Sequence, residues 1–226
     1  MKRFLLTTLI LITVLSAGAR KEKRTTVEML TSMGKITIEL YNETPLHRDN
    51  FIKLVNEGYY NDLLFHRVVE DFMIQGGDPD SKNAPEGMML GEGGPGYTIP
   101  AEFCFPKLFH KRGALAAARE GDSTNPQKSS SGSQFYIVWG KTFTKEEVNK
   151  LTTTIEQRSN GAITFPEQIK KYYMRYGGTP HLDGSYTVFG EVTKGLEVVD
   201  AIQQVDTDRN DRPIEDVKIL NVTIKK

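Results

Sequence analysis

The stretch FHRVVEDFMIQGGDP, Phe65 to Pro79, sets an arginine and a glutamine among phenylalanines, valines and a methionine. It holds no serine, no cysteine and no pair of residues spaced for a metal. Read as a strand, it puts Arg67 on the side of Phe65 and Val69, while His66 and Val68 point the other way. The turn-forming Glu70-Asp71 then shifts the phase before Phe72, Met73 and Gln75. Two readings follow from these residues alone. Arg67 is an edge-strand arginine whose stem covers apolar neighbours. Alternatively, a concave apolar patch carries two polar donors, Arg67 and Gln75, and accepts a small apolar ring while holding the amide beside it.

The surrounding sequence favours short strands. TVEML and KITIELY flank Ser32-Met33-Gly34 with alternating apolar residues, which predicts a hairpin. A helix is expected next, with Thr44 at its N-cap, Pro45 in its first turn, Gly58 at its stop, and Phe51, Leu54 and Val55 buried. LFHRVV, FMIQGG, GALAAA, SQFYIVW, YTVFGEV and VKILNVTIK read as further strands. Short strands with Gly-rich turns and few helices point to a barrel or sandwich.

One segment, about 143–178, breaks this rhythm. Thr144 with Glu147 forms a capping box, and Val148, Leu151 and Ile155 share a face. Ser159-Asn160-Gly161 ends that helix. Thr164 with Glu167 is expected to start a second, whose face carries Ile169, Tyr172, Tyr173 and Tyr176, and Gly177-Gly178 ends it. The pattern is a helical hairpin inserted between strands, with its apolar stripes on the barrel and no part in the chemistry.

Bulk properties exclude several functions. The 226 residues hold 29 Lys plus Arg against 29 Asp plus Glu. Without a basic field, nucleic acid is not an expected partner. Residues 1–19 have a basic start, an apolar run from Phe4 to Leu15, and Ala17 and Ala19 in the A-x-A arrangement. This is the pattern of a signal peptide cleaved after Ala19, leaving a domain over 20–226; retention as an N-terminal anchor is the alternative. The expected location is outside the cytoplasm, the periplasm above all, with no stable membrane insertion after cleavage. The single cysteine, Cys104, leaves no internal disulfide.

Other motifs fail on context. GEGGPG, Gly91 to Gly96, matches the dinucleotide pattern, but Pro95 and the extended YTIPAEF follow where a helix would have to open. His47, His66, His110 and His181 lack metal-ligand spacing. Ser129, Ser130, Ser131 and Ser133 sit in no G-x-S-x-G elbow. No cofactor or metal is expected.

The sequence resembles the cyclophilins, the peptidyl-prolyl cis-trans isomerases, and their bacterial exported branch in particular. FHRVVEDFMIQGGDP, GGPGYTIPAEF, KRGALAAAR, SSGSQFYIV and HLDGSYTVFGEV occur in the family's order. The resemblance spans Thr25 to Thr223, interrupted by the helical segment. It implies a mainly β fold, a closed eight-stranded antiparallel barrel capped by two helices, with GLEVVDAIQQV as the second cap. It implies a monomer acting on proline-containing peptides and on folding exported proteins; the alternative is a non-catalytic module that binds such chains.

Residue by residue, Arg67 falls on the family's catalytic arginine and Gln75 on its substrate-positioning glutamine. Phe72, Met73, Tyr136 and Leu182 fall on the walls of the proline pocket. Gln134 and the backbone around Ala118 and Arg119 fall on the groove for the adjoining peptide. His181 stands where well-known members have tryptophan, Tyr186 where they have histidine, Arg119 where they have asparagine, and Tyr136 where they have phenylalanine. The resemblance gives that tryptophan's indole N–H a part in anchoring cyclosporin, so weak inhibition is expected here. The extra hydroxyl of Tyr136 must find a partner or water.

Overall fold

The computed structural model describes residues 23–225, so the signal-peptide reading of residues 1–19 lies outside them. The hairpin forms as the alternation predicts. β1 (Thr26–Thr31) and β2 (Gly34–Leu40) pair from Thr26–Glu39 to Thr31–Gly34, leaving Ser32-Met33 as the turn. Thr31 closes it with its hydroxyl, which donates to the Gly34 carbonyl at 2.8 Å and accepts from the Met33 N–H at 3.1 Å.

α1 (Pro45–Asn56) follows, with Pro45 in its first turn and Phe51, Leu54 and Val55 buried. Thr44 precedes it but makes no side-chain cap, and its hydroxyl is buried without a protein partner. The orphan N–H groups of the first turn are met from across the molecule instead. The Glu102 carboxylate accepts from Leu46 N–H at 3.1 Å and His47 N–H at 3.0 Å, placing negative charge at the helix's positive end.

LFHRVV is two strands, not one. β3 (Leu63–Leu64) and β4 (Arg67–Val69) are separated by Phe65-His66, where Phe65 N–H turns to the Val217 carbonyl at 2.9 Å. The break resets the alternation: Phe65 and Val68 both enter the main core, so Phe65 does not share the side of Arg67. β5 (Met73–Gly76) returns against β4 through a turn at Glu70–Phe72, in which Asp71 has a positive φ of 55°.

The remaining strands are β6 (Thr98–Ile99), β7 (Ala114–Ala117), β8 (Ser130–Ser131), β9 (Phe135–Val138), β10 (Val188–Lys194) and β11 (Lys218–Ile224). Nine of the eleven form one antiparallel sheet in the order β3-β11-β1-β2-β10-β7-β9-β5-β4, and β6 pairs with β8 separately. The expected closed eight-stranded barrel is therefore corrected to a curled nine-stranded sheet. Its end strands β3 and β4 are joined by chain at Phe65-His66 rather than by a hydrogen-bonded ladder; Phe65 N–H donates to the Val217 carbonyl just before β11, and Val68 N–H to that of Asp211.

The curl encloses Met29, Ile36, Ile38, Ile74, Leu115 and Ile137, all almost wholly buried. Phe51 of α1 enters at one end, edge-on to Phe135 at 5.7 Å. α4 (Leu196–Gln203) also packs against this core through Val199 and Ile202. Among the described residues, no helix is long and apolar enough to cross a membrane.

α2 (Lys145–Arg158) and α3 (Glu167–Tyr176) occupy the segment between β9 and β10. The Thr144–Glu147 capping box forms in full. Thr164 does not cap α3; Pro166 stands at that position and offers only its carbonyl, to Ile169 N–H at 2.9 Å. On α2, Val148 and Thr152 are the buried residues, while Leu151 and Ile155 are only partly so. On α3, Ile169 and Tyr173 face inward and Tyr176 is 45% exposed. The segment leaves and rejoins the sheet at one point, where Gly178 N–H donates to the Lys141 carbonyl at 3.2 Å. The chains are so close that a Cβ on Gly140 would lie 2.3 Å from the Gly178 backbone.

Candidate active site

The outer face of β5 and its neighbours carries a second apolar cluster, built on Met73, Ala116, Tyr136, Val138 and Val188 and bordered by Phe72, Leu182 and Tyr186. Alternation places it there: Ile74 points into the curl, and Met73 and Gln75 point out. A pocket of about 130 Å³ opens on this face, lined by Arg67, Phe72, Met73, Gln75, Ala118, Arg119, Tyr136, Leu182 and Tyr186. Nine of the eleven residues singled out from sequence thus meet in one cavity. His181 stands at its rim, its ring 5.5 Å from that of Phe72. Gln134 lies behind it, 6% exposed.

Arg67 and Gln75 are directly opposite in the β4–β5 ladder, so two polar side chains meet on one edge of the apolar surface. The Arg67 Nε donates to Asp211 Oδ2 at 3.1 Å, and both side chains stay over 40% exposed. Arg67 itself lines the opening. Asp211 is a residue the sequence reading missed, 144 positions away in the chain. Its backbone also serves the site, since its carbonyl accepts from Val68 N–H at 2.8 Å.

Gln134 reaches the site through Gln75. Its Nε2 donates to the carbonyls of Gly91 and Gly93 at 2.7 and 2.8 Å, leaving its Oε1 to accept from Gln75 Nε2 at 3.0 Å. These acceptors fix both amide orientations. The Gly91–Gly96 run is accordingly a loop over Gln134, in keeping with Pro95, rather than a dinucleotide turn.

Arg119 does not reach for a ligand with its side chain. The guanidinium lies 4.3 Å over the Tyr186 ring, donates to the carbonyls of Ser185 and Glu120, and is 4% exposed. Ala118 has its N–H and carbonyl committed to Gln134 and Ser131. Arg119 therefore serves as wall, and its main chain borders the opening.

The Tyr136 hydroxyl has a partner after all. It lies 3.0 Å from His110 Nε2, on the side away from the pocket, and burial holds the phenol's pKa well above its ordinary value. At the other end of β5, the turn before Phe72 is pinned by α4, whose Gln203 accepts from Asp71 N–H at 2.8 Å.

Comparison with known proteins agrees with this geometry. The family model described as "Cyclophilin type peptidyl-prolyl cis-trans isomerase/CLD" matches residues 26–224. The chain belongs to the cyclophilin-type isomerases. A Staphylococcus haemolyticus protein designated a peptidyl-prolyl cis-trans isomerase is 36% identical over 200 residues, covering 88% of this chain and 90% of its own length. A peptidyl-prolyl cis-trans isomerase of Arabidopsis thaliana is 37% identical over 207 residues, 88% of this chain but 24% of that one. A crystal structure of a cyclophilin-type isomerase of Cryptosporidium parvum superimposes with a TM-score of 0.62 at 24% identity, covering 90% of this chain and 98% of its own. The last likeness is one of fold.

Proposed function

We propose that this cyclophilin accelerates rotation about X-Pro peptide bonds in proteins folding outside the cytoplasm, as a monomer and without a cofactor. The observation that carries the reading is the Arg67–Gln75 pair set on the edge of a pocket walled by Phe72, Met73, Tyr136 and Leu182. A structure of the Cryptosporidium parvum isomerase was determined in the presence of the dipeptide Ala-Pro, which supports a proline-containing peptide as the ligand class.

The amide's partial double bond sets a barrier of about 18–20 kcal/mol. As the bond twists, the prolyl nitrogen loses conjugation and its lone pair becomes a hydrogen-bond acceptor. A guanidinium beside it stabilises the twisted state more than either planar one, which is what lowers a barrier. The pocket would hold the proline ring while Gln75 donates to the neighbouring peptide. The acyl side then turns against a fixed ring. No bond breaks, so no nucleophile is needed.

The direct test of this assignment is a peptide isomerisation assay on wild type and pocket variants. At the rim, His181→Trp should tighten cyclosporin binding about tenfold by adding apolar area and an indole donor, with turnover of a small peptide within about twofold. Equal affinity in both proteins would remove His181 from the ligand groove.

The export part of the proposal rests on the order of basic, apolar and small residues over 1–19. N-terminal sequencing of protein from a native-like host is expected to start at Arg20. A start at Met1 would contradict cleavage.

A further inference from the structure

A chain of buried hydrogen bonds links the helical hairpin to the wall of the pocket. Its own cluster of Val148, Phe165, Ile169 and Tyr173 packs against Phe105 and Phe109 of the sheet-side loop. Tyr173 is fully buried, and its hydroxyl passes beyond that cluster to donate to Asp183 Oδ2 at 2.5 Å. Asp183 is 1% exposed, and its Oδ1 accepts from the His110 backbone N–H and from His110 Nδ1, each at 2.8 Å. His110 Nε2 faces the Tyr136 hydroxyl at 3.0 Å. The Tyr136 ring lines the pocket.

Each proton in this chain has its place fixed by the next group. A carboxylate has no proton to give, so the imidazole donates from Nδ1 to Asp183. In the tautomer that donates from Nδ1, Nε2 presents a lone pair, so the Tyr136 hydroxyl donates to it. The Tyr136 proton therefore points away from the ligand, and the wall offered to a proline ring is carbon. Tyr173 supplies the third donor to Asp183. Without it, one oxygen of a buried carboxylate loses its partner, and the groups it aligns are free to shift toward other donors.

We propose that the helical hairpin is a positioning element for the pocket, in which Tyr173 acts through Asp183 and His110 to fix the Tyr136 ring. This rests on the reading of the pocket as the proline site. It replaces the expectation that the hairpin is an appendage separate from the chemistry.

Tyr173→Phe is the variant to use, because it keeps the buried ring and removes only the hydroxyl, whereas deleting the hairpin would expose Phe105 and Phe109. The effect to measure is on KM and kcat for an X-Pro peptide, alone and combined with Tyr136→Phe. Tyr173→Phe should raise KM roughly threefold to tenfold, within the range of couplings seen for contacting networks, with kcat within about twofold, as loss of uniform binding requires. In the Tyr136→Phe background the same change should have less than a twofold effect, since the chain is already cut. Side-chain NMR resonances of Tyr136, Met73 and Leu182 should shift in Tyr173→Phe without any ligand present. That readout holds even if the pocket proves to bind something other than proline. Equal effects in both backgrounds, or resonance changes confined to α2 and α3, would overturn the proposal. If wild type neither binds nor turns over proline peptides but the resonances do shift, the pocket assignment fails and the coupling stands.

Discussion

Arg67→Ala lowers kcat/KM for X-Pro isomerisation by about 10²-fold or more, roughly 3 kcal/mol of transition-state stabilisation. The size follows from the role: one charged donor aimed at a lone pair that exists only in the twisted amide. Arg67→Lys recovers little, because an ammonium lacks the planar fork that can meet Asp211 and the substrate together. Peptide affinity changes much less, since Phe72, Met73 and Leu182 still form the pocket. Stability moves by about 0.5 kcal/mol or less, because the side chain is 41% exposed and its partner 44% exposed. Denaturant melts and single-peptide kinetics on the same preparations check both halves. An unfolded Arg67→Ala protein, or one with full turnover, would make the arginine a structural residue.

The second large effect is acid sensitivity centred on His66. This neighbour of Arg67 is 3% exposed, and neither ring nitrogen has a protein partner. Burial pushes its pKa down to about 4, against a smaller opposing pull from Asp78. In the unfolded chain the imidazole titrates near 6.5. Between those values the unfolded state binds the proton and the folded state does not, so stability falls as pH drops through this window. The full loss by pH 4 is about 3 kcal/mol at 1.36 kcal/mol per unit. Burial lowers the pKa of His47 too, which adds to the loss in the same direction. Denaturation of wild type and His66→Phe at pH 7 and pH 4 isolates the His66 share. Wild type should lose about 3 kcal/mol more than the variant; parallel losses would show that His66 titrates normally in the fold.

What the sequence made legible is what repeats locally. Period-two alternation identified the first hairpin and most strands, and the Thr144–Glu147 box with the spacing of Val148 and Ile155 identified α2. The pocket residues were legible through ordered motifs rather than through periodicity. Their supports were not, because they depend on contacts between distant segments. Glu102 replaces the expected Thr44 cap, reaching His47 N–H from 55 residues further along the chain. Asp211 meets Arg67 across 144 residues, and His110 meets Asp183 across 73. None of these pairs has a local signature. The break at Phe65-His66 was hidden for a related reason: LFHRVV has the composition of one strand, and only the competing demands of β11 and the Asp211 loop divide it. The Tyr136 hydroxyl shows how such a gap bears on the site. Sequence required a partner for it, and folding supplied His110, which Asp183 joins to Tyr173 of the helical hairpin.

The central claim is that the pocket catalyses rotation rather than merely holding proline. The measurement that addresses it most directly is two-dimensional exchange NMR on a short Ala-Pro peptide with substoichiometric enzyme. Uncatalysed exchange takes tens to hundreds of seconds. Catalysis predicts cross-peaks between cis and trans resonances at sub-second mixing times with wild type, absent with Arg67→Ala even when the peptide is bound. Shifted peptide resonances with wild type and no exchange cross-peaks would contradict the claim and leave a proline-peptide binding module in its place.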